Sequence, residues 1–267
     1  MPIDFLAERN RYTYASRSAD SSWFNAVSSL AAPHGKTLLD IGCGGGIYLQ
    51  AWRQLGAKRV IGVDFSEQMV RTAFERTREM DDAWVLAGRA TSVPLPSGTV
   101  DIVFTRALIH HLSDHDFPIF LAEAHRLLAP GGVCIIQGRT FDDVACLASP
   151  THIRGFLFEA FPKLLQVEEA RRRGSREVVE GLLGAGFANV RARSFWEVRR
   201  EYEDVVELAQ DLRGRVGRSI LHELTDEELQ YLVEYITARL AGRQHIVERD
   251  RWTLWHAQKP ASARMVA

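Results

Sequence analysis

The stretch Leu38-Leu39-Asp40-Ile41-Gly42-Cys43-Gly44-Gly45-Gly46 restricts what this chain can fold into more than any other. It is an apolar strand that ends in an acid and runs directly into a glycine cluster. Glycines at a strand-to-helix turn let backbone approach a ligand closely, because no Cβ intervenes and positive φ is allowed. A second apolar run, Val60-Ile61-Gly62-Val63-Asp64, also closes on an acid. Two such strands side by side describe a pocket for a nucleoside-bearing cofactor at the carboxyl ends of neighbouring parallel strands.

The rest of the first half fits that reading. Short apolar runs at Thr37–Gly42, Arg59–Asp64, Ala83–Ala87, Val100–Arg106 and Val133–Gly138 alternate with helical spacing over Ile47–Leu55, Ser66–Met80 and Asp114–Leu128. Ser66 is placed as an N-cap, with Glu67 beside the positive helix end. Pro130, Gly131 and Gly132 are expected to turn the chain tightly into the fifth strand. Strand–helix alternation implies right-handed crossovers and a mostly parallel sheet. After Arg139 the pattern changes. Phe156, Phe158 and Phe161 sit among helix formers, Ser175–Leu183 reads as a capped helix, and Val190–Val198 and Trp252–Gln258 read as two more strands. Between those strands Thr225-Asp226-Glu227-Glu228 matches a capping box ahead of Leu229, Leu232, Val233, Ile236 and Leu240. The expected fold is therefore α/β: a Rossmann-like doubly wound sheet, mostly parallel with an antiparallel edge strand, plus helical cap insertions. One domain over 1–267 is expected, with a core at about 30–140, 174–200 and 250–259 and a cap at about 150–173 and 201–245.

The acid before the glycines decides the cofactor. A pyrophosphate would sit at the helix N-terminus beyond such a loop, and Asp40 would repel it. An ammonium would be attracted instead. S-adenosylmethionine carries an α-ammonium, a sulfonium and no phosphate, and so fits Asp40. Asp64, about twenty residues further on, can accept hydrogen bonds from both ribose hydroxyls, although a strand-end aspartate can also be a plain N-cap. Phe65 offers a flat apolar surface for adenine.

Four segments, Leu39-Asp40-Ile41-Gly42-Cys43-Gly44, Gly62-Val63-Asp64-Phe65-Ser66, Asp101-Ile102-Val103-Phe104 and Leu128-Ala129-Pro130-Gly131-Gly132, resemble in order and spacing the motifs of class I S-adenosylmethionine-dependent methyltransferases of the small-molecule type. The resemblance covers about residues 37–139. It implies that Asp40 with Gly42, Gly44 and Gly46 holds the methionine moiety, that Asp64 holds the ribose, and that Phe65 and Met69 pack near the adenine. It places Ala90 beside the adenine edge, and Arg106 and Ala107 beside the methionine part and the transfer site. Many relatives carry an aspartate where Arg89 stands, to accept from the adenine amino group. Arg89 cannot accept, so Thr91, Ser92 or a backbone carbonyl takes that role, or stacking holds the adenine.

Methyl transfer is a direct displacement, so the enzyme mainly aligns nucleophile, carbon and leaving sulfur. A base helps when the acceptor must lose a proton. His110 or His111, after the fourth strand, could be that base, or could order the turn instead. Tyr14, with Tyr12 and Arg17, lies in a segment that folds over the cofactor in similar proteins; Tyr14 could present its phenol to the sulfonium or the acceptor, or the segment could be an amphipathic helix packed on the sheet edge. His152 and Arg154 could line an acceptor pocket, with Arg154 on an anionic group, or could cap a helix. Arg171-Arg172-Arg173 after Glu168-Glu169 reads as a solvated, charge-balanced surface.

Bulk properties narrow the partners. With 33 Lys+Arg against 34 Asp+Glu, the formal net charge is −1, which suggests no surface for nucleic acid or anionic membrane. No segment has the length of a membrane span or the look of a signal peptide. Cys43, Cys134 and Cys146 lack the spacing of a disulfide framework or a zinc site, so no metal is expected. The expectation is a cytoplasmic monomer or homodimer acting on a small-molecule methyl acceptor, without nucleic acid or membrane partners. An RNA or protein methyltransferase and a non-catalytic S-adenosylmethionine-binding protein are the alternatives. A dinucleotide oxidoreductase fits less well, because the third glycine of its fingerprint would fall at Ile47.

Overall fold

A computed structural model describes residues 19–215 and 217–261 of the 267. Seven strands form one sheet: β1 (Thr37–Ile41), β2 (Arg59–Asp64), β3 (Ala83–Ala87), β4 (Val100–Arg106), β5 (Leu128–Gly138), β6 (Ala188–Asp204) and β7 (Gln244–Gln258). Their order across the sheet is β3-β2-β1-β4-β5-β7-β6. β1 pairs in parallel with β2 and β4, β2 with β3, and β4 with β5, while β7 runs antiparallel to both β5 and β6. The strand order reverses between β1 and β4, and crevices at such switch points hold ligands at the carboxyl ends of strands.

Alternation within β1 and β2 explains why the sheet is covered on both faces. Leu39, Ile41, Ile61 and Val63 enter one apolar layer with Phe117, Phe120 and Leu121 of α4 (Asp116–Leu127) and Val178 and Leu182 of α8 (Ser175–Gly184). Leu38 and Val60 enter the other, with Trp23 of α1 (Ser21–Ser28), Leu49 and Trp52 of α2 (Ile47–Gln54), and Ala73 of α3 (Glu67–Thr77). Trp23, Trp52 and Phe104 interlock edge to face, with centroids 5.4 to 5.9 Å apart. Ser66 caps α3 by accepting from the Met69 N–H, as its position before Glu67 implies.

The second half departs from the expected boundaries. Leu128 to Gly132 is not a free turn: Leu128 already pairs with Val100, and a register break before Ile102↔Val133 absorbs the extra residues. α8 is preceded by Gly174 and has no side-chain cap. β6 and β7 are longer than the apolar pattern suggests. β5 pairs only with Thr253–Gln258 of β7, so Gln244–Trp252 pairs with β6 alone, as a two-stranded ribbon beyond the sheet.

That ribbon carries a separate hydrophobic cluster. Tyr202 and Ile246 join Val144 of α5 (Phe141–Val144), Phe156, Leu157 and Phe158 of α6 (Arg154–Ala160), Leu164 of α7 (Pro162–Arg171), Leu208 and Leu212 of α9 (Val205–Arg213), and Leu229, Leu232, Val233 and Ile236 of α10 (Asp226–Arg239). The Thr225–Glu228 capping box starts α10 in both directions, with hydrogen bonds of 2.9 and 3.2 Å. Charges are buried at the ribbon's root: Glu248 accepts from Tyr202 (2.9 Å), Arg199 (2.8 Å) and Arg218 (2.6 Å). Carboxylates and guanidinium groups taken out of water are tolerated only because they meet each other.

Gly62 of β2 has a packing reason to be glycine. A Cβ there would meet Cys43 Sγ and Leu49 Cδ1 at 2.8 Å each, and both of those side chains are buried. We expect Gly62→Ala to cost about 1–3 kcal/mol of stability through overpacking. Urea unfolding checks this, and an unchanged midpoint would show that α2 does not press on β2 as described.

Candidate functional site

A cavity of about 430 Å³ opens at the carboxyl ends of β1, β2 and β4. The glycine loop is its wall. Gly44 (φ 51°) turns its N–H onto Asp64 Oδ2 at 2.9 Å, a left-handed conformation that a side chain disfavours. Gly46 (φ 78°) precedes α2, and a Cβ on it would stand 3.1 Å from Ala73 Cα. The loop is thereby pressed against α3; Gly42, Cys43, Gly44 and Gly45 border the cavity, whereas the expected Gly46 does not.

Two carboxylates face this space. Asp64 Oδ1 accepts from the Ser66 N–H at 2.9 Å while Oδ2 holds Gly44. Burial raises its pKa, and the backbone donors of Ser66 and Gly44 offset part of that rise. Asp40 is 2% exposed, and its Oδ1 has no hydrogen-bond partner among the described residues. Burial, followed by repulsion from Asp64, raises the Asp40 pKa from 3.8 to about 8, with Arg106 pulling the other way. A buried carboxyl with an open lone pair and an unrelieved ionisation cost is the complement of a cationic ligand group.

The remaining expected residues gather around these acids. Phe65 is 60% exposed, and with Met69 it borders the cavity beside Asp64. Arg89 and Ala90 line it too. The Arg89 carbonyl accepts from the Ser92 N–H at 3.0 Å, and of the two hydroxyl residues named as substitutes for the usual aspartate, Thr91 lines the space. Arg106 is held by both oxygens of Glu197, at 3.1 and 3.0 Å, and lies between the rings of Tyr48 and Trp252. The next residue, Ala107, has φ 56° and donates its N–H to the Gln137 carbonyl at 2.9 Å. Backbone strain of this kind concentrates where a chain is fixed for function.

The His110 and His111 rings lie against each other, centroids 3.9 Å apart and planes tilted by 40°, and both border the cavity. Burial holds His110 well below its ordinary pKa, with Arg172, His111, Arg171 and Arg139 adding to the effect. Desolvation, then Arg172 and Arg171, brings His111 down to about 4. Both rings are therefore neutral near pH 7. They can accept a proton, but as weak bases.

Some expectations are corrected. Arg171–Arg173 is not a solvated surface. Glu168 is buried and accepts from Arg171 and from Arg172 (Nε at 2.7 Å), and the Arg172 side chain is 6% exposed. The run reads as polar because nothing local in sequence reveals that its partner carboxylate faces inward. His152 and Arg154 do not reach the cavity. His152 Nδ1 meets the Leu147 carbonyl at 3.0 Å, and Arg154 Nε donates to Asp250 at 2.9 Å. Tyr14, with Tyr12 and Arg17, lies outside the described residues. The sequence reading also missed lining residues: Tyr48, Thr72, Leu108, Asp116 and Ser219. Tyr48 could have been found from its place in the first turn after the glycines. Ser219 and the Glu197 anchor carry no local signal.

Residues 39–136 match the family described as a methyltransferase domain. A malonyl-[acyl-carrier protein] O-methyltransferase of Serratia marcescens is 32% identical over 194 residues, covering 71% of this chain and 66% of that protein. The chain spans less of the next curated relatives it matches, 37% and 36% of their length. Among solved structures, a protein of Anabaena variabilis described as a methyltransferase from an antibiotic biosynthesis pathway superposes with TM-score 0.66 at 22% identity, covering 86% of this chain and 94% of that one. A Haemonchus contortus phosphoethanolamine N-methyltransferase 2, in complex with S-adenosyl-L-methionine, gives TM-score 0.59 at 19% identity over 97% of this chain and 60% of that one. Residues 39–136 thus belong to the methyltransferase-domain family, and the sheet they help to form has the fold of these solved methyltransferases. Among the described residues no helix is long and apolar enough to cross a membrane, and no group of three or more His, Cys, Asp or Glu could hold a metal ion.

The histidine pair offers a direct test of this electrostatic picture. NMR titration of the His111 ring should give a midpoint near 4. Because its folded pKa lies below the ordinary 6.5, the unfolded chain binds a proton that the folded chain does not between these values, so this histidine's contribution to stability declines as pH falls through that window. A midpoint at 6.5 or above would mean that this ring is neither buried nor under the influence of Arg172 and Arg171 as described.

Proposed function

We propose that this chain transfers a methyl group from S-adenosylmethionine to a small-molecule acceptor by direct displacement. The observation that carries the reading is Asp40, a buried carboxyl with an open oxygen at the cavity wall. In this reading Asp40 takes the α-ammonium through a charge-assisted hydrogen bond. Asp64, whose oxygens each use one lone pair on backbone, accepts the ribose hydroxyls with the others. Gly42 and Gly44 admit the methionine part to the backbone while Gly46 sets the turn against α3, and Phe65 and Met69 flank the adenine, with Arg89 and Ala90 at its edge.

When bound there, the cofactor supplies an electrophilic methyl on a sulfonium. The chain's own task is then to orient the acceptor and exclude water. Arg106 and Ala107 border the transfer point, and His110 and His111 flank the acceptor without being strong bases. The helices α6, α7, α9 and α10 serve as a cap over the acceptor end. Ser219, from the turn between α9 and α10, supports this, since it lines the same cavity as the glycine loop.

The charge state of Asp40 makes the reading testable. Between pH 3.8 and about 8 the folded, empty protein keeps a proton on Asp40 that the unfolded chain has lost. Raising pH across that window therefore weakens the empty fold, and a bound cation must expel the proton. Calorimetric titration with S-adenosylhomocysteine should show proton release at pH 6–7 and affinity rising with pH by up to about tenfold per unit. Asp40→Asn should abolish that slope and weaken binding. Asp64→Ala should weaken binding by at least about tenfold, as loss of charged hydrogen bonds does. No binding by the natural protein, or unchanged binding in Asp64→Ala, would overturn the proposal.

A further inference from the structure

Among the described residues three carboxylates line the cavity, Asp40, Asp64 and Asp116, and the reading above employs only the first two. Asp116 is the first residue of α4, where an acid suits the positive helix end. Ser113 fixes its side chain from both directions. The Ser113 hydroxyl donates to Asp116 Oδ2 at 2.9 Å and accepts from the Asp116 N–H at 3.0 Å. Oδ1 lies 3.4 Å from His115 Nδ1. A carboxylate offers about four lone-pair sites, so each oxygen can accept once more. Ser113 first, then His115 and Arg89, hold Asp116 below its ordinary pKa, which keeps it ionised at neutral pH.

The same helix holds the loop that follows β3. Glu123 accepts from the Val93 N–H at 2.7 Å, and Arg126 donates to the Leu95 carbonyl at 3.0 Å and the Val93 carbonyl at 3.3 Å. Arg89, Ala90 and Thr91 on that loop therefore border the cavity together with Leu112 and Asp116, which lead into α4. Ala90 and Leu112 pack on the core layer that contains Val63 and Ile109, so this stretch has an apolar base. Its polar groups are not equivalent. The Arg89 side chain only donates, and the Arg89 carbonyl already accepts from the Ser92 N–H. Thr91 offers a neutral hydroxyl. Asp116 is the ionised acceptor, and hydrogen bonds to ionised groups are roughly twice as strong as neutral ones.

Resting on the methyltransferase reading above, we infer that Asp116 accepts a hydrogen bond from the 6-amino group of the cofactor's adenine and selects for that base. An exocyclic amino group carries two N–H donors, and leaving water without an acceptor is costly. With Phe65 and Met69 flanking the ring and Ala90 at its edge, the amino group meets the stretch that ends in Asp116. A purine with a carbonyl at that position would present an acceptor to a carboxylate, and the two repel. The acid thus supplies from α4 what Arg89 cannot supply from the loop after β3. Spacing along the chain gives no sign of this, because β4 intervenes between the two.

S-adenosylhomocysteine and the analogue with hydrogen in place of its 6-amino group differ in this contact alone, and calorimetry compares them. The natural protein should bind S-adenosylhomocysteine about fivefold more tightly or better, a charged hydrogen bond at a site half open to water. Asp116→Ala should remove that preference by weakening S-adenosylhomocysteine while the analogue binds as before. Asp116→Asn, whose carbonyl oxygen still accepts, should keep part of it and serves if the alanine variant does not fold. Thr91→Val should leave the preference intact. Equal binding of the two ligands by the natural protein, an undiminished preference in Asp116→Ala, or its loss in Thr91→Val overturns the inference while the cofactor reading stands. Failure to bind either ligand sinks both.

Discussion

The buried carboxylate of Glu197 is the point on which the cavity floor depends. It accepts from the Tyr48 hydroxyl at 2.9 Å, from Arg106 at 3.0 and 3.1 Å, and from Gln137 Nε2 at 2.7 Å. Gln137 Oε1 in turn accepts from Trp23 Nε1 at 2.9 Å. One side chain of β6 thus ties together α1, α2, β4 and β5. Removing one partner from such a set leaves the others buried and unsatisfied, typically at about 3–5 kcal/mol for an ion pair. The same contacts fix where the Arg106 guanidinium stands, and with it the electrostatic pull that Asp40 feels.

The two sides of the cavity differ in character. Asp40 and Asp64 make one side acidic. On the other, burial first and then Arg172 hold His110 and His111 in their neutral form. An overall charge of −1 conceals this division completely. Near-zero net charge speaks to bulk partners such as nucleic acid, and says nothing about fields across a cavity a few residues wide.

Most of the donor half was legible because its determinants are local. β2, β3 and β4 fall on the apolar runs over Arg59–Asp64, Ala83–Ala87 and Val100–Arg106, and Asp40, Asp64 and the glycines are fixed by their place at strand ends. The Thr225 capping box was legible for the same reason. The acceptor half was not, because its order comes from pairs distant in sequence. Arg106 meets Glu197 and Arg154 meets Asp250, contacts that spacing cannot reveal. The ribbon was missed over Arg199–Asp204 because its charged residues look solvent-facing, whereas Arg199 and Tyr202 meet Glu248 across the strand pair. Arg171–Arg173 was misread on the same ground.

The ribbon of β6 and β7 has an architectural meaning of its own. The helices packed on it bring their own apolar cluster and their own buried ion pairs, and α9 and α10 join the rest of the chain through two strands that are already paired with each other. The donor loop, by contrast, is complete by Gly88, before any of that chain begins. Such a joint works like a tool holder. The bit can be reshaped, lengthened or exchanged through drift in one stretch of sequence, while the machine that drives it keeps its alignment.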